Sequence, residues 1–395
     1  MPENTACGIK EYIEWRGDVP FELDPFGEVD ALVLAELSYV PFENVLAKTE
    51  GGGELPYSLP LRETAARFDK DAVDEKLRIY SFERDAELLK LAGESVRFGD
   101  VVASGYRAEL SPEKDQQFAA VTFTLPDETR FIAFRGTDDT IVGWKEDFKF
   151  SFMYETAAQR LAAEYLERQA EGSFPLMLGG HSKGGNLAVY SAVKCSNGVF
   201  ARIRQIYSFD APGFRDEIIS TDAYRRVQPL VRSVIPESSL VGQLLTEDTE
   251  PDIVRSSATG VMQHEAFTWE VRRNRFVCAE ELSRFGTFVN RTVRSWLADM
   301  DDENRRMFTK ALFDVIEASE ADTFGELGKK GKLKSSAALL KALSGLKPEQ
   351  QAAMRHALWE LAKSGKNALK EFAEEKVLKT AQEKTLLLEK QEPKQ

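Results

Sequence analysis

The chain has 395 residues, 43% of them hydrophobic and 30% charged, with a formal net charge of −13. That is enough apolar material for one large core plus an appendage, and the acidic excess argues against nucleic acid as the ligand. Cys7, Cys195 and Cys278 are widely spaced, with no CxxC, so neither a disulfide framework nor a zinc site is expected, and a reducing cytoplasm is the natural location. The stretch "MPENTACGIKEYIEWRGD" lacks a basic segment leading into an apolar one, so no signal peptide is expected. No apolar run reaches the roughly 20 residues that span a bilayer.

Residues 1–100 read as mostly helical. In "DALVLAELSYVPF" an acidic cap precedes an apolar stripe that Pro41 ends, and "FERDAELLKLAGES" has helical spacing with Gly93 as its stop. Between them "GGGELPYSLP" is a loop by composition. This segment is expected to pack on the next domain and to serve as a candidate lid over its site.

From 101 to 302 the character changes. "QQFAAVTFTL" and "RFIAFRG" are short apolar runs joined by "PDET", which predicts paired strands. There follow a helix in "AAQRLAAEYLERQA", a buried strand in "FPLMLGG", a helix in "GGNLAVYSAVKC", and strands in "IRQIYSFDAPGF" and "LVRSVIP". Alternation of this kind predicts an α/β domain with a mostly parallel sheet and flanking helices. Residues 303–395 read as a C-terminal helical extension with a basic, glycine-containing linker, "GELGKKGKLKSS". Basic amphipathic helices can dock on a membrane surface or an acidic partner, although a solvated face packed on its own domain is the commoner arrangement.

Gly180-His181-Ser182-Lys183-Gly184 fits G-x-S-x-G, and its setting gives the pattern weight: an apolar strand ends just before it and a helix begins just after. A sharp strand-to-helix turn exposes the serine Oγ at the carboxyl edge of a sheet, and the backbone N–H of Lys183, at the helix start, is placed to stabilise an oxyanion. A serine needs a base, and the chain has three histidines. His181 lies within the turn and cannot serve its neighbour well, and His356 lies mid-helix in the extension. His264, in "TGVMQHEAFTWEV", lies C-terminal to the serine, as the Ser…acid…His order requires.

These residues resemble a known family. "FIAFRGTDDTIVGWKEDF" followed by "GGHSKGGNLA" is similar to the "FRGT…W…D" block and "GHSLGG" turn of the class 3 lipases, which are α/β-hydrolases. A bacterial branch of that superfamily known as a domain of unknown function resembles the chain more closely, with blocks similar to "AELSYVPF", "QFAAVTF", "DAPGF", "PESSLVG" and "QHEAFTW". The resemblance implies an α/β-hydrolase fold with Ser182 as nucleophile, His264 as base and Thr137 as the second oxyanion donor beside Lys183. Arg135, Trp144 and Asp147 are expected to fix the Thr137 loop, and the adjacent Asp138 and Asp139 to be solvated rather than to bind a metal.

Two departures stand out. Lys183 replaces an apolar residue, and its ammonium is expected either to attract an anionic head group or to reach outward to solvent. The acid is open between two carboxylates. Class 3 lipases carry an Asp after the strand that here reads "VRSVIPESSLVG", which offers Glu237, with Ser239 at the gaplessly matched position. Asp210 of "YSFDAPGF" ends the preceding strand and is preferred. The expected function is hydrolysis of carboxylic esters, small acyl esters or lipids, by a Ser-His-acid triad with no cofactor and no metal. Peripheral membrane contact through the C-terminal helices would suit a lipid substrate. The alternative is a catalytically idle hydrolase fold used as an interaction or signalling module.

Overall fold

The computed structural model describes residues 7–46, 56–75, 78, 81–111, 116–137, 150–245, 248–284, 286–288, 291, 292, 295, 299, 301–317, 348, 351, 352 and 359. Trp144, Asp147, Asp138, Asp139, His356 and the linker "GELGKKGKLKSS" lie outside the described residues.

In chain order the elements that build the site are helices α1 (Ile9–Arg16) and α2 (Glu28–Leu37), strand β1 (Ser58–Pro60), helices α3 (Leu61–Arg67) and α4 (Phe82–Glu94), then strands β2 (Val102–Ser111), β3 (Gln116–Thr124) and β4 (Arg130–Phe134). Helix α5 (Ala157–Gln169), β5 (Leu176–His181), α6 (Lys183–Lys194), β6 (Ile203–Phe209), β7 (Val231–Pro236), β8 (Asp252–Val254) and α7 (Asp302–Glu317) follow. The eight strands form one sheet in the order β1 to β8. Pairing is antiparallel from β1 to β4 and parallel from β4 to β8. The β3–β4 hairpin closes where Leu125 N–H donates to Thr129 O at 2.9 Å, with Glu128 at φ 66° and the Asp127 carboxylate accepting from Thr129 N–H. Part of the expected loop "GGGELPYSLP" is strand: Ser58–Pro60 pairs along the sheet edge, the place a sheet tolerates proline.

This strand order explains the layers. Parallel neighbours need crossovers, and right-handed crossovers that always step the same way put their helices on one face. Helices α5 and α6 accordingly share a core with Ile132, Phe134, Leu176 and Leu178. The opposite face must be covered by something else, and α2 does it, packed with Phe131, Ala133, Met177, Tyr207 and Phe209.

All ten residues of α2 are buried, so the helix is a layer of the core. Two of its acids are matched accordingly: Asp30 bonds the Arg97 guanidinium at 2.7 and 2.6 Å and accepts from Tyr12 Oη at 2.7 Å, while Glu28 pairs with Arg232 and accepts from Phe276 N–H. Asp30 does not precede the helix but sits in its first turn, reaching back to Gly27 N–H at 2.9 Å.

The chain packs on the core where the extension begins. Asp302 accepts from Arg215 at 2.8 Å, Arg305 donates to Ser151 O at 2.7 Å, and Phe308 is buried. Among the described residues no helix is long and apolar enough to cross a membrane, and no cluster of His, Cys, Asp and Glu has the arrangement of a metal site.

Candidate active site

Strand β5 ends at His181 and α6 starts at Lys183, so one residue must reverse the chain. Ser182 does so at φ 57°, ψ −133°, a region that costs a non-glycine residue on the order of 1–3 kcal/mol and persists only where its surroundings enforce it. Two hydrogen bonds enforce it: Ser182 N–H to Phe209 O at 2.8 Å, and Gly185 N–H to Ser182 O at 3.0 Å. The flanking glycines are sterically required, because a Cβ on Gly180 would lie 2.3 Å from Gly184 C, and one on Gly184 would lie 2.0 Å from Phe134 O.

The structure brings Ser182, His264 and Asp210 together. His264 arrives on the turn Gly260–His264, held by its neighbours: Gln263 O accepts from Trp269 Nε1 at 2.8 Å, Gln263 Oε1 accepts from Ser238 N–H at 2.7 Å, and Glu265 pairs with Arg84 at 2.6 Å. His264 Nε2 lies 3.0 Å from Ser182 Oγ, and its Nδ1 lies 2.6 Å from Asp210 Oδ2. A carboxylate only accepts, so Nδ1 carries the hydrogen and Nε2 is left to accept from the serine hydroxyl.

Asp210 is fully buried at the end of β6, at φ 45°. Its N–H donates to Val234 O at 2.8 Å, and its Oδ1 accepts from Ser239 Oγ and from Gly242 N–H at 3.0 Å. With Oδ1 so held, Oδ2 is aimed at the imidazole. Glu237 is half-buried at the end of the next strand, with its main chain bonded to Val254 O and Ser283 N–H. Ser239 supports the Asp210 carboxylate instead of replacing it.

Lys183 and Thr137 flank the serine. Lys183 opens α6, where helical N–H groups have no intrahelical acceptor. Gly136 touches the serine, since a Cβ there would lie 3.1 Å from Ser182 Cβ, so the half-buried Thr137 continues a main chain that runs alongside it. The Lys183 ammonium takes neither expected course. It is buried, donating to Gln117 O at 2.9 Å and to Gln117 Oε1 on β3, because the first turn of α6 directs it down along the sheet.

His181, which cannot serve its neighbour Ser182, sits directly behind His264. Its Nε2 lies 2.8 Å from His264 O, and its Nδ1 lies 3.3 Å from both Tyr39 Oη and Glu36 Oε1. Burial and the neighbouring His264 hold its pKa well below the usual imidazole range. Burial, with Asp85 and Glu265 nearby, pushes the Glu36 carboxyl well up, and burial raises Asp85 to about 8. Strand alternation was the available signal: Met177, Gly179 and His181 point to one face.

Against known families, the model of the Mbeg1-like family matches residues 92–314. The chain belongs to the Mbeg1-like family. This is a lipase-like family, and with its mostly parallel sheet and strand–serine–helix turn the chain is a lipase-like α/β-hydrolase. The matched region holds Thr137, Ser182, Lys183, Asp210 and His264, whereas Glu36 and Tyr39 lie before it. Among solved structures the chain is similar to M37 lipase, with 14% identity over 54% of this chain and 67% of that one and a TM-score of 0.34. It is also similar to the extracellular lipase LipA from Serratia marcescens, with 15% identity over 61% of this chain and 44% of that one and a TM-score of 0.28. No curated protein matches it.

Proposed function

We propose that the protein is a serine hydrolase that cleaves carboxylic (acyl) esters through an acyl-enzyme intermediate. The observation that carries this reading is the unbroken hydrogen-bonded line from Ser182 Oγ through His264 to the buried Asp210. Ser182 Oγ attacks the ester carbonyl carbon while His264 Nε2 takes its proton. The resulting oxyanion is met by the backbone N–H groups of Lys183 and Thr137. Collapse breaks the ester bond, and the imidazolium returns its proton to the departing alcohol. Water then repeats the sequence on the acyl-serine, releasing the acid. Asp210 keeps His264 in the tautomer that can accept from Ser182, and offsets the charge it gains. The scheme calls for no metal or cofactor.

A lipid substrate, with peripheral membrane contact through the C-terminal helices, belongs to the same proposal. A soluble, activated short ester tests the chemistry without either. On such an ester Ser182→Ala and His264→Ala are each expected to lower kcat by about 10⁶. Retention of more than a tenth of wild-type activity by either folded variant overturns the assignment. Absence of turnover by the wild type would favour the idle-scaffold alternative.

A further inference from the structure

We propose that His181 is a positioning residue for this reaction: as a neutral ring protonated on Nε2, it holds the base His264 in register by donating to that residue's main-chain carbonyl. The inference rests on the acyl-transfer reading above. Its geometry is independent of that reading. The two imidazole rings lie with centroids 4.7 Å apart and 33° between planes, with Trp269 edge-on behind His181 at 6.1 Å.

The hydrogens on His181 follow from its partners. The carbonyl of His264 only accepts, so Nε2, at 2.8 Å, carries the hydrogen. The Nδ1 lone pair then faces Tyr39 Oη and Glu36 Oε1, each at 3.3 Å, and both can donate to it. Burial keeps the Tyr39 phenol protonated, and burial among acids does the same for the Glu36 carboxyl. Nδ1 has one lone pair, which accepts from one of these two donors at a time. Tyr39 is in turn wedged in place, because a Cβ on Gly136 would lie 2.0 Å from its hydroxyl. One chain of contacts therefore runs from α2 through His181 to the base, and along Gly136 to the loop that carries Thr137.

Neutrality is what makes the arrangement useful. His264 becomes an imidazolium when it takes the serine proton, and a second positive charge at ring-contact distance would oppose that step. His264, Glu36 and Tyr39 face His181 directly, and the charged and titratable groups around Glu36 and Tyr39 are Arg84 and Asp85 from α4, Arg135 after β4, and Glu265 from the base loop. None of these stands as an ionised acid against Nδ1 while Glu36 holds its proton, so nothing draws a second proton onto the ring.

The test compares variants that keep or remove the donor. Gln places an amide N–H where Nε2 sits, whereas Met fills the space without one. The rate of Ser182 labelling by a fluorophosphonate, and kcat on a soluble ester, should fall about 10²-fold in His181→Met, the scale of a base displaced by about an ångström. KM should be unchanged, and His181→Gln should recover most of the loss. Wild-type rates in folded His181→Met overturn the positioning role while leaving the triad standing. Failure of the wild type to label removes the acyl-transfer reading, and the role with it. Should His181→Met not fold, the wild type decides: with three histidines in the chain, imidazole ¹⁵N spectra can be assigned ring by ring. A neutral His181 with the hydrogen on Nε2 at pH 7 is expected, and an imidazolium or an Nδ1–H tautomer contradicts the proposal.

Discussion

Both faces of the sheet carry a buried core, yet the two cores are built from different materials. The face under α5 and α6 is mostly an apolar core of Ile132, Phe134, Leu178, Leu187 and their neighbours; its buried polar side chains pair locally, as Tyr165 does with Thr122 at 3.0 Å and Gln159 with Asn186 at 2.9 Å, and the buried charge on α6 is Lys183, at its first turn. The face under α2 buries Glu28, Asp30, Glu36, Asp85 and Arg97 among its aromatics. Strand alternation at the end of β5 assigns Gly180 to the first face and His181 to the second, so Ser182 stands where the two meet. The difference teaches a division of labour. One face supplies shape, and close packing holds the strained turn; the other supplies placed hydrogens that reach the base from behind.

The sharpest break of that picture is at the meeting point. Asp210→Asn leaves the packing of both faces intact while removing the carboxylate that orients His264, so kcat should drop by about 10⁴. A folded Asp210→Asn protein with near wild-type activity would remove the acid from the account.

The next largest effect belongs to the α2 face alone. Arg97 is buried against Asp30 and also donates to Val19 O at 3.0 Å and Asp24 O at 2.9 Å. Arg97→Met strands the Asp30 charge inside the core, and breaking such a pair costs about 3–5 kcal/mol. Denaturant unfolding should register that loss. A change within about 0.5 kcal/mol would mean that the buried pair contributes little here.

The two faces should also differ in how their stability responds to pH. Asp85, ordinarily near 3.8, is raised to about 8 in the folded chain, chiefly by burial. The folded state thus holds a proton that the unfolded chain has released, and linkage makes stability fall as pH rises from about 4 to about 8. Asp85→Asn stays neutral throughout and should flatten part of that fall, by a few kcal/mol between about pH 5 and 8. Glu36, raised in the same direction, leaves a residual slope. Leu187→Ala on the opposite face should lower stability by about 2–5 kcal/mol, equally at each pH. Equal pH slopes in wild type and Asp85→Asn would contradict the contrast between the faces. The smallest effect is expected at Glu237→Gln, within about tenfold of wild-type kcat.

What was legible in the sequence followed local rules. The turn at Ser182 shows itself because glycines two residues either side of a serine, between an apolar strand and a helix, leave little else for the chain to do. His264 emerges by elimination among three histidines, and Asp210 by ending an apolar run at a Pro-Gly turn. The rest depended on topology. The role of α2 follows from a strand order that puts α5 and α6 on one face, and no local pattern in "ALVLAEL" states that order, although its nearly continuous apolar character is what a helix buried on every side requires. The course of the Lys183 side chain is not legible locally, because its direction is set by the turn geometry, which carries it to Gln117. Choosing between Asp210 and Glu237 required knowing which carboxylate the base loop reaches across the strand ends.

The measurement closest to the central claim is intact-mass analysis of the full chain after treatment with a fluorophosphonate, followed by peptide mapping. An activated serine should take up one phosphonyl group, on Ser182, with labelling abolished in Ser182→Ala and strongly slowed in His264→Ala and Asp210→Asn. A wild-type chain that stays unlabelled, or that labels elsewhere, would contradict the account of Ser182, His264 and Asp210 as one acyl-transfer unit.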